Sequence, residues 1–323
     1  MTLTTKEMTE DDIEQSVFCF NQNMVGHHIT KGELMEKYQW GCNGFSYHAL
    51  CYDENNLVGF ISAIPYRYQY KSEEILVGLT CDIVIKAECR NDFTLFAKLY
   101  NKLKEICLQH GIVCFLGVAN QNAYTYSIRI LRCKELMTLP YWILPVKAGN
   151  ILKKKGAPLI NMFSLLWCYL SLYTNHVVSS LCNTKKQETI CKIIEDDIFL
   201  QSRLSESNYV NVADKNIRFT YRITEDEGVK CAYVLRFVEN EERSYKSLCR
   251  AVKYILQKES VDMVMFNGTL NLKQGLLIKT PQKFEPRKIH LTVNFLTKEY
   301  EKQYAEIMEP NGIDFTLLNL DVR

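Results

Sequence analysis

Apolar and polar positions alternate in blocks whose period changes along the chain. Thr9 precedes EDDIEQ and then Val17, Phe18 and Phe20, the pattern of a capped helix with acidic residues in its first turn. A second helical stretch covers about Gly32 to Trp40. SYHALCY, LVGFISAIPYRYQY and ILVGLTCDIVIKA follow, separated by the polar turns DENN and KSEE. Apolar and β-branched runs divided in this way predict three consecutive antiparallel strands. Phe96, Leu99, Leu103 and Ile106 then recur at helical spacing, and Gly111 stops that helix. IVCFLGVA predicts a buried strand, with a short helix beginning after Asn120.

From about residue 190 a looser version of the strand-rich part recurs. NIRFTYRIT and VKCAYVLRF flank the turn EDEG, SYKSLCRAVKYILQ predicts a helix, and VDMVMFNG and IHLTVNFL predict strands. This is an internal structural repeat without recognisable residue identity. The expected organisation is a first domain over 1–148, a helical linker over 149–189 and a second domain over 190–323. At 323 residues the chain is long enough for two domains of ordinary size.

The linker holds an unusual stretch. No charged side chain occurs from Gly156 to Thr184, and Lys153–Lys155 and Lys185–Lys186 bracket it. About 20 apolar residues can span a bilayer. Here Asn161, Ser164, Ser171, Asn175 and His176 interrupt the run. The reading adopted is a buried helix between the domains. A peripheral membrane contact through 157–182 is the second reading, because lysines there meet anionic headgroups, and a transmembrane span is the third.

Composition narrows the class. The chain is 47% hydrophobic and 24% charged, close to the globular average, and 39 basic residues face 37 acidic ones. That balance gives no reason to expect a nucleic-acid partner, which normally needs a basic excess. The 13 cysteines are odd in number, form no CxxC pair, and lie mostly in apolar runs where a thiol acts as a small hydrophobe. Neither a disulfide framework nor a metal site is expected. The N-terminal MTLTTKEMTEDDIEQ has no signal-peptide pattern, so the expected compartment is the cytoplasm.

Candidate chemistry concentrates between Leu57 and Leu136. The run Asp82-Ile-Val-Ile-Lys-Ala-Glu-Cys-Arg90-Asn91-Asp92-Phe93 and the later Gly117-Val-Ala-Asn120-Gln-Asn-Ala123 carry a resemblance. They resemble the GNAT superfamily of acyl-CoA N-acyltransferases, in particular tandem-domain members. The family shows Asp-Val-x-Val-His-Pro-x-Tyr-Arg-Gly-x-Gly at the end of its fourth strand. Asp82 and Arg90 match in register, whereas Asn91 and Phe93 stand where the family has glycine. The resemblance implies a mixed α/β fold of tandem GNAT-like domains, with mostly antiparallel sheets and splayed central strands. The splayed pair would be CDIVIKA and VCFLGVA.

The implied co-substrate is acetyl-CoA or another acyl-CoA. A helix N-terminus offers unpaired N–H groups and a favourable dipole to its pyrophosphate. By resemblance the cofactor-binding residues are Ile83, Ile85, Arg90, Asn91, Asp92, Phe93, Thr94, Leu95, Phe96, Asn120 and Ala123. Amine acylation needs one proton taken from the amine and one given to the departing thiolate. Asp82 is the candidate base, with a turn-holding carboxylate as its structural alternative. Ser127 stands where the family often has its acidic tyrosine, which makes Tyr124 and Tyr126 the neighbouring candidates. The second domain has no Arg-Gly-x-Gly-like loop and reads as a degenerate copy without cofactor. FTLLNLDVR resembles the family's closing strand. The implied acceptor is the amine of a small molecule, sugar or amino acid. Two alternatives stay open: a catalytically inactive GNAT-like binding or regulatory protein, and a Fem-type aminoacyltransferase, against which the near-neutral charge counts.

Overall fold

A computed structural model describes residues 3–320 apart from 25, 27, 40, 43, 45, 120, 154–155, 182–187, 205–207, 227 and 286. It divides into two compact units, each discontinuous in sequence. The first comprises Met1–Thr138, Ile190–Arg203 and Lys288–Ile313; the second comprises Leu139–Thr189, Leu204–Arg287 and Asp314–Arg323.

Numbering along the whole chain, the first unit contains strands β1 (Leu3–Glu7), β2 (Tyr47–Asp53), β3 (Asn56–Tyr70), β4 (Glu73–Ile85), β5 (Ile112–Ala119), β6 (Lys134–Thr138), β8 (Cys191–Ile193) and β14 (His290–Phe295). Its helices are α1 (Ile13–Asn23), α2 (Lys31–Tyr38), α3 (Phe93–Gln109), α4 (Gln121–Arg129), α7 (Asp197–Arg203) and α9 (Lys298–Gln303). The second unit contains β7 (Tyr141–Pro145), β9 (Tyr209–Asp214), β10 (Ile217–Asp226), β11 (Val229–Glu239), β12 (Met263–Asn267) and β13 (Ile278–Lys279). Helices α5 (Ala148–Leu152), α6 (Ala157–Leu181) and α8 (Tyr245–Lys258) complete it.

The two sheets share one plan. In the first unit the order is β1-β2-β3-β4-β5-β14-β6, and in the second β13-β7-β12-β11-β10-β9. Both contain a long antiparallel hairpin, β3–β4 or β10–β11, followed by a helix and a parallel strand, β5 or β12. Both close with an antiparallel neighbour, β14 beside β5 and β7 beside β12. The expected doubling is present, but the units differ from the contiguous spans 1–148 and 190–323. β7 belongs to the second sheet and β14 to the first, because each parallel strand takes its outer neighbour from the other half of the sequence.

Side-chain alternation explains the layers of the first unit. Ala49, Ile61 and Phe115 face one side of the sheet, where Leu95, Leu99 and Leu103 of α3 pack on them. Leu50, Phe60 and Val84 face the other, against Ile13 of α1 and Leu34 and Tyr38 of α2. The buried stripe of α3 begins at Leu95, not Phe96 as the spacing predicts; Phe96 is half-buried. Local signals set the ends of both helices. Thr30 and Glu33 form a capping box at the start of α2, and Gly111 adopts φ 76°, a conformation open to glycine, after α3.

Two expectations are corrected. The terminal FTLLNLDVR forms no closing strand over its middle; Leu317–Asn319 is a short 3-10 helix capped by Thr316. The stretch 157–181 is helical, but it is not a buried helix. Among its residues only Cys168, Leu172 and Ser179 are buried, because a single helix packed along one side can seat only one stripe against α8 and β7.

Candidate functional site in the first unit

The parallel pairing of β4 with β5 runs from Leu76↔Ile112 to Thr80↔Gly117 and stops there. Beyond it β4 continues to Ile85 and β5 to Ala119, so the two strand ends part. An irregularity on the other side of β4 produces the divergence. Phe60 pairs Val84 and Ser62 pairs Cys81, which leaves an extra residue on β4 around Asp82 and Ile83. Asp82 has φ 46°, a left-handed conformation for which aspartate is one of the more tolerant side chains.

Gly117 at the fork is also sterically required to be small. A Cβ there would lie 2.9 Å from Thr80 Oγ1 and 3.2 Å from Thr292 Oγ1. The strand pairing thus ends beside the hydroxyls of Thr80 and Thr292. Unpaired backbone N–H and C=O groups at parted strand ends suit an extended amide-bearing ligand.

Asp82 stands at the fork, as the sequence places it, but its carboxylate is committed. Lys37 Nζ donates to its Oδ1 over 2.9 Å, and both side chains are only 9% exposed. Tyr38 is fully buried beside them, and burial followed by the Asp82 charge pushes its phenol well above the usual range. Ser62 Oγ donates to the Tyr38 hydroxyl at 3.1 Å and meets His48 Nδ1 at 2.8 Å. The network ties the bulge of β4 to α2, β2 and β3.

His48 makes this network sensitive to acid. Burial lowers its imidazole from 6.5 to about 3. The unfolded chain takes up a proton below about 6.5 where the folded chain does not, so the contribution is complete above that pH and falls as pH drops toward 3. The expected slope is about 1.4 kcal/mol per pH unit. Urea midpoints measured between neutral pH and mild acid should show it, and His48→Gln should flatten it.

The loop after β4 is held by side chains instead of glycines. Arg90 Nε donates to Ile85 O at 3.0 Å, and its guanidinium also donates to Asn23 O at 2.8 Å. Ala87 N donates to Asn23 Oδ1 at 3.0 Å, so the end of α1 grips the loop. Asp92 caps α3: its Oδ1 accepts from Thr94 N at 2.8 Å and Thr94 Oγ1 at 2.6 Å. Those bonds hold the Asp92 carboxyl below its ordinary value. An N–H that the resemblance assigns to pyrophosphate is therefore occupied by a carboxylate of the chain itself.

Of the other expected residues, Leu95 is in the core, Ile85 is half-buried against it, and Ile83, Asn91 and Thr94 are exposed. Phe93 opens α3. Ala123 O accepts from Ser127 Oγ, an internal α4 contact. Phe96 and Tyr126 meet edge to face at 6.4 Å between ring centres. Asn120 lies outside the described residues.

Tyr124 belongs to a cluster that reading along the sequence misses. Its hydroxyl donates to Glu135 Oε2, and its ring stacks on His290 at 4.1 Å between centres. Glu135 Oε1 is 2.7 Å from His290 Nδ1. The partners come from α4, β6 and β14, and His290 pairs with Ala119, the last residue of β5. Burial raises the Glu135 carboxyl, but the bonds from Tyr124 and His290 outweigh it and leave it lowered. The Tyr124 phenol is raised chiefly by its bond to Glu135. Only the long-range pairing of β14 brings His290 here; no local spacing signals it.

Neither a family model nor a curated protein matches the sequence. Solved structures match its architecture. A conserved protein of unknown function from Enterococcus faecalis V583, a probable N-acyltransferase, aligns with TM-score 0.58 at 8% identity, over 93% of this chain and 74% of that one. A GCN5-related N-acetyltransferase from Anabaena variabilis ATCC 29413 aligns with TM-score 0.58 at 11% identity, over 92% and 73%. Eis1 from Mycobacterium abscessus aligns with TM-score 0.56 at 8% identity, over 94% and 75%.

The chain has the GNAT fold. The second unit repeats the parted parallel strands and the irregular hairpin strand of the first. β11 and β12 pair only over Cys231–Tyr233 and Met263–Met265 before parting, and an irregularity falls between Thr220 and Tyr221 of β10. Where the first unit has its loop before α3, the second has a turn with Asn240 and Glu241 at positive φ. Glu241 binds Arg218 and Arg236 there, and Ser244 caps α8.

Proposed function

We propose that this chain is an acyl-CoA-dependent N-acyltransferase working at the fork of the first unit. The observation that carries the proposal is the parting of β4 and β5 after Thr80 and Gly117, with a bulge at Asp82 on the fork's flank. The GNAT-fold neighbours support acyl transfer as the chemistry. In this reading the thioester arm of acetyl-CoA, or of another acyl-CoA, lies along the parted strands. The acceptor is the amine of a small molecule, a sugar or an amino acid. Its nitrogen attacks the thioester carbon, a C–N bond forms, the C–S bond breaks, and the departing thiolate ends as the free thiol.

His290 is the group we assign to the protons of that exchange, with Glu135 orienting its ring and Tyr124 stacked against it. Asp82 then serves to hold the bulge, through Lys37. Cysteines that carry free thiols throughout the described residues accord with a reducing, cytoplasmic setting.

The Asp92 cap favours a second reading, a GNAT-like module that binds a ligand without turnover. Calorimetric titration with acetyl-CoA, followed by assay of thiol release with a panel of amines, distinguishes the two. Asp92→Ala is expected to tighten acetyl-CoA binding, because it frees the Thr94 N–H and removes a negative charge from a helix N-terminus. It should lower the melting temperature slightly through the lost cap. Affinity that falls or stays the same in this variant would place the pyrophosphate elsewhere.

A further inference from the structure

Helix α6 sorts its residues into two opposite stripes. Asn161, Ser164, Cys168, Leu172, Asn175 and Ser179 follow one another at three- and four-residue steps, the spacing of one helix face. This face is docked. Asn161 Oδ1 accepts from Gly149 N at 2.7 Å, and Ser164 Oγ donates to Val146 O at 2.9 Å. Asn175 accepts from the Tyr245 hydroxyl of α8, and Cys168 and Leu172 enter the core of the second unit. The polar residues that interrupt the apolar run in sequence are thus its attachment points.

The opposite stripe is Leu159, Phe163, Leu166, Leu170, Tyr173 and Leu181. Its exposure reaches 67% at Leu166, 70% at Tyr173 and 80% at Leu181, and Trp167 and Tyr169 flank it half-exposed. A helix of 25 residues presents this face over about 36 Å. That extent is far beyond the isolated apolar side chains found on ordinary surfaces.

Charge identifies the occupant. From Leu136 to Gln187 the sequence contains no aspartate or glutamate, while Lys147, Lys153, Lys154, Lys155, Lys185 and Lys186 stand before and after the helix. We propose that α6 is a membrane-docking helix that lies flat on an anionic lipid surface. Leu, Phe, Tyr and Trp enter the headgroup–acyl boundary and the flanking lysines meet the lipid charges. The helix does not cross the bilayer, because hydrogen bonds of its other face hold it to the second unit along its length. This inference is independent of the acyl-transfer reading.

The test is flotation of the full chain with vesicles of phosphatidylcholine alone and of phosphatidylcholine with phosphatidylserine. The expected result is flotation with the phosphatidylserine vesicles, reduced by salt, and little with phosphatidylcholine alone. Leu166→Glu/Leu170→Glu should abolish flotation while leaving the far-ultraviolet spectrum and melting temperature unchanged, since both side chains point away from the core. Wild-type protein that stays unbound to either vesicle overturns the proposal. So does sedimentation showing a dimer that this double variant separates, with no vesicle binding, because the stripe would then cover a second copy of the chain.

Discussion

Lys37→Met is expected to destabilise the protein by about 3–5 kcal/mol, the usual cost of stripping one partner from a buried ion pair. The physical reason is the environment of Asp82. Its side chain is 9% exposed and its partner's ammonium is 2.9 Å away, so the lost cation leaves a desolvated carboxylate behind. Tyr38 is fully buried against the same carboxylate and adds no positive charge in compensation. Adding Asp82→Asn to Lys37→Met should recover part of the loss. Asparagine removes the charge and is among the side chains that tolerate φ 46°, whereas leucine would be strained there. Chemical denaturation of the single and double variants measures both effects. A loss below about 1 kcal/mol in Lys37→Met, the range of an exposed pair, would show that water reaches the site.

His290→Gln should lower kcat/KM by roughly 10²–10⁴-fold, the range for loss of a positioned acid–base group. Acetyl-CoA affinity and melting temperature should stay close to those of the parent chain. Glutamine can keep a hydrogen bond to Glu135 but cannot shuttle a proton at neutral pH. Glu135→Gln should have a smaller effect, since it acts by orienting the imidazole. The comparison with Asp82→Asn separates two tasks. A fork-holding aspartate shows its loss in the denaturation midpoint, a proton-handling group in turnover. Full turnover in His290→Gln, with a verified acceptor, would remove the imidazole from the reaction.

The sequence is legible where structure depends on near neighbours. DENN and KSEE mark the hairpin turns because Glu54 and Lys71 sit at positive φ in short polar links. The parting of CDIVIKA from VCFLGVA was also readable, since Asp82 stands in register with a known pattern and the run from Gly117 resembles the strand that follows it. What escaped was set by distance. Lys37 and Asp82 lie 45 positions apart, and Glu135 and His290 lie 155 apart, so no periodicity relates either pair. The glycine-poor loop was likewise opaque, because its conformation is held by Asn23 on another element. The apolar stretch 157–181 misled in one respect: composition gives its length and hydrophobicity, but not which stripe is covered.

The placement of β14 beside β5 and of β7 beside β12 has a consequence for the order in which the protein is made. When β5 leaves the ribosome its outer edge has no neighbour, and it stays open until residue 290 and beyond have been synthesised. β7 is made early and must wait for β12, more than a hundred residues later. Unpaired strand edges invite pairing with other chains. Neither half of the sequence can therefore mature on its own, and a nascent chain stopped between the repeats leaves strand edges at β5, β6 and β7 unpaired for a chaperone to guard.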